Sequence, residues 1–246
     1  MNKPPRVLFW DLENAPNLGW TWGKWEQNVI QFKQNWYMLS FSYKWQGEKR
    51  IKTRALCDYP GYSRDKENDG KLVRDLWKVL DEADVAIGHN ADRFDTRKAN
   101  ARFAFHGLKP PSPFKSVDTL KIARRHFQFD SNKLNDLGHY LGVGHKLPHT
   151  GANLWFGCMA GDPKCWRTMK RYNAQDVALL ERIYLKLRPW SSSHPDLTNF
   201  TRSEACPVCQ SHNIQNRGFN VTKTMRSPRM QCRDCGKWFS GPKRKA

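Results

Sequence analysis

Two carboxylates lie side by side after a short apolar run near the start of the chain. In RVLFWDLENAPN, residues 6–17, four apolar residues precede Asp11 and Glu13, with Leu12 between them. Side chains two residues apart in a strand point to the same face, so these acids are expected to be neighbours. Adjacent carboxylates raise each other's pKa unless a cation lies between them, and Mg²⁺ and Mn²⁺ prefer carboxylate oxygens. The pair therefore indicates a divalent-metal site.

Two further segments can bring acids to the same site. A predicted strand runs into a polar loop in VAIGHNADRFDTR, where Asp95 follows Asn90 and Phe94 at the start of a predicted helix. In YNAQDVALL, Tyr172 and Asp176 are four residues apart and share one face of a helix. Each residue alone also fits an ordinary role, as a strand end, a helix cap, an exposed acid or a core tyrosine. The joint pattern favours a metal site.

These three motifs, in this order, resemble those of the DnaQ-like DEDD 3′–5′ exonucleases, in the branch whose third motif is Tyr-x-x-x-Asp. The resemblance covers residues 6–188. The sequence around the motifs is similar to that of stand-alone phage exonucleases and of the proofreading domain of family-B polymerases. It implies an α/β ribonuclease H-like fold, in which helices flank a mixed β-sheet. Alternating predicted strands and helices agree with an α/β sheet.

The resemblance also implies roles for the motif residues. Four acids would hold two Mg²⁺ or Mn²⁺ ions for an in-line phosphoryl displacement: Asp11, Glu13, Asp95 and Asp176. Tyr172 would orient the attacking water and help to take its proton. Three residues would contact the last nucleotides of the strand, the first of them through its backbone or its side chain: Leu12, Asn90 and Phe94. Of their neighbours, Asp118 is interpreted mainly as a structural residue and His89 as a hydrogen-bonding loop residue.

Four of the seven cysteines form two CxxC pairs, at Cys206/Cys209 and Cys232/Cys235. Four thiolates at this spacing predict one structural Zn²⁺ and a reducing compartment rather than a disulfide framework. The segment resembles the zinc ribbons attached to some transposases. Six basic residues of this ribbon are expected to contact nucleic acid: Arg217, Lys223, Arg226, Arg229, Arg233 and Lys237. A module that only assists folding or docking is the alternative.

The elements that must position these residues follow from apolar and aromatic periodicity. Strands are predicted at 6–12, 36–45, 51–59 and 84–90. Helices are predicted at 70–82, 95–107, 131–142 and 164–188, and the segment 116–127 begins as a strand or turn and becomes helical. Ser131 or Asn132 is the predicted cap of the helix at 131–142. Core packing is the default interpretation of four tryptophans, with base stacking as the alternative: Trp20, Trp22, Trp25 and Trp36.

Composition sets the domain organisation and the class of partner. We expect a nuclease domain at 1–190, a linker at 191–203, a zinc ribbon at 204–242 and a mobile basic tail at 243–246. A net charge of +19, spread over the whole chain, favours nucleic acid as the partner. No stretch has the length of a membrane span or the architecture of a signal peptide, so a cytoplasmic protein is expected, in the host cell if viral.

The predicted function is 3′–5′ hydrolysis of mainly single-stranded DNA, releasing nucleoside 5′-monophosphates. The alternatives are an exoribonuclease, a structure-selective endonuclease and a non-catalytic nucleic-acid-binding protein on a nuclease fold. A replication or recombination protein as a further partner is left open.

Overall fold

The computed structural model describes residues 3–25, 28–241 and the backbone of 244–245. The strands are β1 (Val7–Asn14), β2 (Leu18–Trp20), β3 (Gln31–Gln34), β4 (Met38–Trp45), β5 (Lys52–Ala55), β6 (Val85–Gly88), β7 (Lys115–Asp118), β8 (Ile214–Val221), β9 (Met225–Cys232), β10 (Trp238–Ser240) and β11 (Arg244–Lys245). The helices are α1 (Gly70–Asp81), α2 (Asp95–Phe105), α3 (Thr119–His126), α4 (Leu134–Tyr140), α5 (Ala152–Ala160), α6 (Pro163–Leu187) and α7 (Thr198–Thr201).

A five-stranded mixed sheet in the order β5-β4-β1-β6-β7 organises the larger part of the molecule. The strand β1 lies at its centre, antiparallel to β4 and parallel to β6. Helices flank the sheet, which confirms the predicted α/β class and agrees with a ribonuclease H-like fold. Among the described helices, none combines the length and the apolar character that crossing a bilayer requires.

The strand β1 is apolar on both faces because both faces are covered. Leu8 and Trp10 belong to one buried cluster, whereas Val7 and Phe9 belong to a second cluster that includes much of α6. The ring of Phe9 meets that of Tyr184 on α6 edge-to-face at 5.4 Å. Pairing with β4 continues to Asn14, so β1 runs two residues beyond the predicted end and holds both acids inside the ladder.

Several local predictions were wrong for identifiable reasons. The strand predicted at 51–59 ends at Ala55, whose N–H donates to the Asp58 carboxylate at 3.3 Å in a following 3₁₀ turn. Helix α4 begins after Lys133, because Ser131 uses its hydroxyl to bond Asp136 at 2.6 Å instead of capping the first turn. The helix α5 was missed, since its sequence ANLWFGCMA contains almost no polar residues to reveal a helical period.

The tryptophans assigned to the core by default lie instead on a two-stranded hairpin. Strands β2 and β3 pair only with each other, and nothing in the described structure covers them. Trp20 is therefore 61% exposed, and Trp22 and Trp25 are each 87% exposed. Trp36, which follows the hairpin, is half-buried.

A second, smaller sheet follows in the C-terminal part. Strands β8, β9, β10 and β11 pair antiparallel around β9. The predicted linker contains α7, and its Leu197 is buried with the cluster around α6. Within the predicted mobile basic tail, Arg244 and Lys245 pair with β9, whereas Lys243 and Ala246 lie outside the described residues.

Candidate active site

A cluster of carboxylates lies where β1 passes α6. Asp11, Glu13 and Asp176 each offer an oxygen, and these oxygens lie within 4.8 Å of one another. Asp95 is not within that limit but lies against the same strand, because its Oδ1 accepts the N–H of Leu12 at 3.3 Å. Asp95 and Asp176 are buried, and the other two acids are half-buried. The structure therefore brings together the four acids that three separate motifs supply.

The loop between β6 and α2 positions Asp95, and Asp118 fixes the shape of that loop. The Asp118 carboxylate accepts the N–H of Asn90 at 2.8 Å and that of Leu120 at 2.9 Å, which caps α3. Asn90 adopts a left-handed conformation with φ of 63°. The half-buried His89 bonds the Thr119 hydroxyl at 2.9 Å. The structural interpretations of Asp118 and His89 are thereby confirmed.

The electrostatics of the cluster are those of crowded acids in a dry environment. Burial, followed by repulsion from Asp95 and Asp176, raises the pKa of Asp11 well above its ordinary value. Burial, with Asp176 as the strongest repelling neighbour, raises the pKa of Glu13 to about 8. Burial likewise raises the pKa of Asp95 to about 7 and raises that of Asp176. The neighbouring positive charges and hydrogen-bond donors thus compensate only part of the negative charge of the cluster.

The principal group that sequence reasoning missed is Lys146. Its Nζ donates to the Tyr172 hydroxyl at 2.9 Å and to Asp176 Oδ2 at 2.6 Å. Burial alone would lower the pKa of Lys146, but Asp176 and Tyr172 outweigh burial and raise it, so this lysine is charged. It lies in an irregular loop and is one of 42 Lys and Arg residues, so no local spacing in the sequence marks it.

Neutral donors complete the surroundings, and sequence reasoning missed these as well. The Asn173 amide donates to Asp11 Oδ2 at 2.6 Å, and the Trp155 indole donates to Glu13 Oε2 at 3.2 Å. The rings of Trp155 and His149 both pack edge-on against Tyr172, at 5.9 and 4.9 Å. Burial and the nearby Asp176 raise the pKa of Tyr172, so its hydroxyl keeps its proton at neutral pH.

The four acids fit divalent cations. The Oδ1 atom of Asp176 is buried without a hydrogen-bond partner among the described residues. Unpaired buried oxygens are costly, and a cation between the acids would satisfy this atom while cancelling the repulsion. An all-oxygen donor set suits Mg²⁺ or Mn²⁺ better than softer metals.

The three predicted nucleotide contacts have different outcomes. The prediction for the Leu12 side chain was wrong, because this side chain is buried in the core and only 2% exposed. Phe94 is 46% exposed and lines a groove of about 440 Å³ together with Trp155. Asn90 lines a second groove of about 700 Å³ together with Lys146. Each groove includes a residue that bonds one of the acids, since Trp155 donates to Glu13 and Lys146 donates to Asp176.

The four paired cysteines also converge. The sulfur atoms of Cys206 and Cys235 are 3.6 Å apart, as are those of Cys209 and Cys232, and all four lie within 4.8 Å of one another. Each CxxC pair forms a tight turn, which the next residue closes with a positive φ. This donor set fits a tetrahedral Zn²⁺ and is compatible with a zinc ribbon.

Most of the basic ribbon residues are exposed and lie beside aromatic rings. The Arg226 guanidinium lies 3.6 Å from the centre of the Phe219 ring, and Arg229 lies 5.6 Å from that of Trp238. The remaining exposed members of the predicted set are Arg217, Lys223 and Arg233. Lys237 differs from these residues, because it is half-buried and its Nζ donates to the Ser191 carbonyl at 2.6 Å; its contact with nucleic acid stays a prediction.

The chain belongs to the RNase_H superfamily, whose family model matches residues 30–188. It is also similar to the solved structure of the family B DNA polymerase from the hyperthermophilic archaeon Pyrobaculum calidifontis, with a TM-score of 0.57 and 14% identity. That likeness covers 90% of this chain but only 32% of the polymerase, and at this identity it concerns the fold. No curated protein matches the chain. Superfamily membership and the carboxylate cluster together support a nuclease.

Without metal, the free energy of unfolding is expected to fall as the pH rises from about 4.5 to about 8. The raised pKa values mean that the folded carboxyls keep protons that the unfolded chain has released, so stability decreases with pH in this window. Denaturant unfolding in EDTA over a pH series tests this. Asp11→Asn should flatten the dependence and Glu48→Gln, at an exposed pair with Lys52, should not. Equal slopes for both variants would contradict the assignment.

The protein is expected to bind one Zn²⁺ per chain, and Cys232→Ser should abolish this binding because the site needs all four thiolates. Metal analysis by mass spectrometry measures the stoichiometry, and limited proteolysis should then cleave within 204–242 first. Cys57→Ser, at a half-buried cysteine outside the cluster, is the matched control and should retain the metal. Full zinc content in Cys232→Ser would exclude the site.

Proposed function

We propose that the protein is a metal-dependent 3′–5′ exonuclease of the DEDD type with a tyrosine in its third motif, similar to stand-alone phage enzymes. Its substrate is mainly single-stranded DNA, and its products are nucleoside 5′-monophosphates. The observation that carries the proposal is the convergence of four acids and Tyr172 at one end of β1. Degenerate nuclease folds that only bind nucleic acid have no need of such a costly arrangement, which favours an enzyme.

The acids have one chemical task in this proposal. Asp11, Glu13, Asp95 and Asp176 would hold two Mg²⁺ or Mn²⁺ ions, which when bound stabilise charge on the reacting phosphate and lower the pKa of a water. Asn173 and Trp155 keep the first two carboxylates in place through the hydrogen bonds described above. Loss of either donor is therefore expected to misorient an acid rather than remove it.

Tyr172 and Lys146 act on the reacting atoms. The Tyr172 hydroxyl, protonated and held by Lys146 at 2.9 Å, can orient the attacking water by hydrogen bonding. The water oxygen bonds to phosphorus and gives up one proton to solvent, while the bond from phosphorus to the 3′-oxygen of the preceding nucleotide breaks. The departing 3′-oxygen takes one proton from solvent, and the phosphate stays on the 5′-oxygen of the released nucleoside. The charged Lys146 is placed to stabilise negative charge on the phosphate.

The zinc ribbon is proposed to bind nucleic acid. Its strands and the end of α6 enclose a groove of about 860 Å³, lined by Arg182, Lys186, Trp190 and Trp238. Arginine and lysine contact phosphates, and exposed tryptophans stack on bases, so this lining suits a nucleic-acid strand. Lys186 lies ten residues beyond Asp176 on α6, or about 15 Å along the helix axis. The groove can therefore hold substrate several nucleotides away from the reacting end.

Four reduced thiols for zinc also support a cytoplasmic location.

The cleavage experiment uses 5′-labelled single-stranded DNA and RNA of the same sequence, with Mg²⁺, Mn²⁺ or EDTA. A ladder of shortening products is expected with metal, and Asp11→Asn should abolish it because the cluster loses a metal ligand. Tyr172→Phe should slow it about 100-fold, as expected for loss of a group that positions a proton. Glu48→Gln is the control and should cut at the wild-type rate.

Other outcomes of this assay identify the alternatives. Cleavage of circular single-stranded DNA would indicate an endonuclease, because a circle has no 3′ end. Faster shortening of the RNA would identify an exoribonuclease, and binding of both strands without cleavage would exclude an enzyme.

Replacing Lys223 and Arg226 by Glu is expected to weaken the binding of single-stranded DNA and to make it less dependent on salt. Two lost phosphate contacts reduce the slope of log K against log salt by about 1.4 for a single strand. Fluorescence anisotropy at several salt concentrations measures both quantities. Lys49→Glu is the control, since Lys49 follows β4 at the end of the sheet opposite the acids. An unchanged slope would assign the ribbon another role.

A further inference from the structure

The hairpin of β2 and β3, residues 18–25 and 28–34, presents large apolar side chains to water. Trp20, Trp22 and Trp25 are 61%, 87% and 87% exposed, and Phe32 is 49% exposed. A two-stranded hairpin outside the main sheet adds little to a core, so folding does not account for these side chains. Contiguous exposed apolar surface of this kind marks a binding site. This surface is called the aromatic hairpin below.

A groove lies beside both the base of the aromatic hairpin and the neighbours of the carboxylate cluster. At the base of the hairpin, the Asn17 side chain accepts the N–H of Trp36 at 2.7 Å, and both residues line the groove of about 440 Å³ described above. The same lining includes Asn14, which follows Glu13, and Trp155, which donates to Glu13. The groove therefore places residues that flank the hairpin next to residues that flank Glu13.

Lysines are interleaved with the aromatic rings along this surface. The Nζ of Lys98 lies 3.7 Å from the centre of the Trp36 ring, and that of Lys24 lies 5.2 Å from the centre of the Trp25 ring. Neither lysine forms an ion pair with any residue in the described ranges. Positive charges beside exposed aromatic faces are the arrangement by which proteins hold single strands, through phosphates and stacked bases together.

We propose that the aromatic hairpin and its groove form a stacking platform for single-stranded nucleic acid. The platform holds the strand on the 5′ side of the terminal nucleotide that lies at the carboxylates. This inference rests on the proposed exonuclease function and adds the path that the substrate takes. A duplex hides its base faces, so the platform selects unpaired strands. A protein partner would also cover the tryptophans, but it would not require a groove that lies beside the neighbours of Glu13.

The binding test uses the full chain carrying Asp11→Asn, so that the strand is not cut. The probe is a 5′-fluorescein-labelled 20-nucleotide oligothymidylate, which has no secondary structure. Replacing Trp22 and Trp25 by Ser is expected to raise its Kd at least tenfold, because each stacked base is lost. Tyr140→Ser, at a tyrosine 72% exposed on α4, is the matched control and should bind like the parent. Circular dichroism and zinc content verify folding of each variant.

A second measurement separates failure of the platform from failure of the proposed function. With Asp11 restored, the KM of the double variant should rise more for the 20-nucleotide strand than for a trinucleotide, while kcat is kept. If the wild-type chain cuts neither strand, the exonuclease proposal fails. If it cuts both and the double variant binds and cuts like the wild type, the platform alone is refuted, and the tryptophans belong to a protein interface.

Discussion

The mutual repulsion of four carboxylates is the constraint on which the rest of the structure depends. Asp11 and Glu13 lie in the middle strand of the sheet, where pairing with Ser42 and Ser40 of β4 leaves the backbone no freedom to separate them. The 25-residue helix α6 carries Asp176 and is anchored by the buried apolar residues of its C-terminal half, which belong to the second buried cluster. Packing energy thus holds together charges that would otherwise move apart. Burial and the electrostatic repulsion between these acids raise the pKa values of Asp11 and Glu13.

Asp95, the acid of the second motif, is positioned by hydrogen bonds in a loop rather than by a regular strand or helix face. Asp95 begins a helix, and its place depends on the loop that Asp118 fastens from β7 by accepting backbone N–H groups. The Asp118 carboxylate thereby positions Asp95, which the proposed function assigns to metal binding. The two acids are of the same residue type, and they differ in that Asp118 accepts three backbone N–H groups whereas Asp95 accepts that of Leu12 at 3.3 Å.

Most of the site residues that could be predicted from the sequence are those whose spacing follows a strand or helix repeat. Asp11 and Glu13 follow the two-residue repeat of a strand, and Tyr172 and Asp176 follow the four-residue spacing of a helix. Lys146 reaches the site from an irregular loop and Trp155 from an unrecognised helix, and no spacing marks contacts that only tertiary packing creates. The prediction of a contact through the Leu12 side chain was wrong for the same reason, since alternation along β1 turns that side chain into the core, whereas a contact through its backbone stays a prediction. The strands of the main sheet could be predicted from the sequence, whereas the two-stranded hairpin could not.

The overall charge then has a physical consequence at the site. A basic chain of net charge +19 attracts polyanions to its whole surface, yet the acids at the end of β1 would repel a phosphate placed among them. Lys146 offsets only part of this repulsion, because it is already bonded to Asp176 and Tyr172. Under the proposed function, binding of nucleic acid to the basic and aromatic surfaces would therefore be separable from placement of a phosphate among the acids. The divalent cations would then decide whether a bound strand is cut, whereas the lysines, arginines and tryptophans would decide whether it is bound.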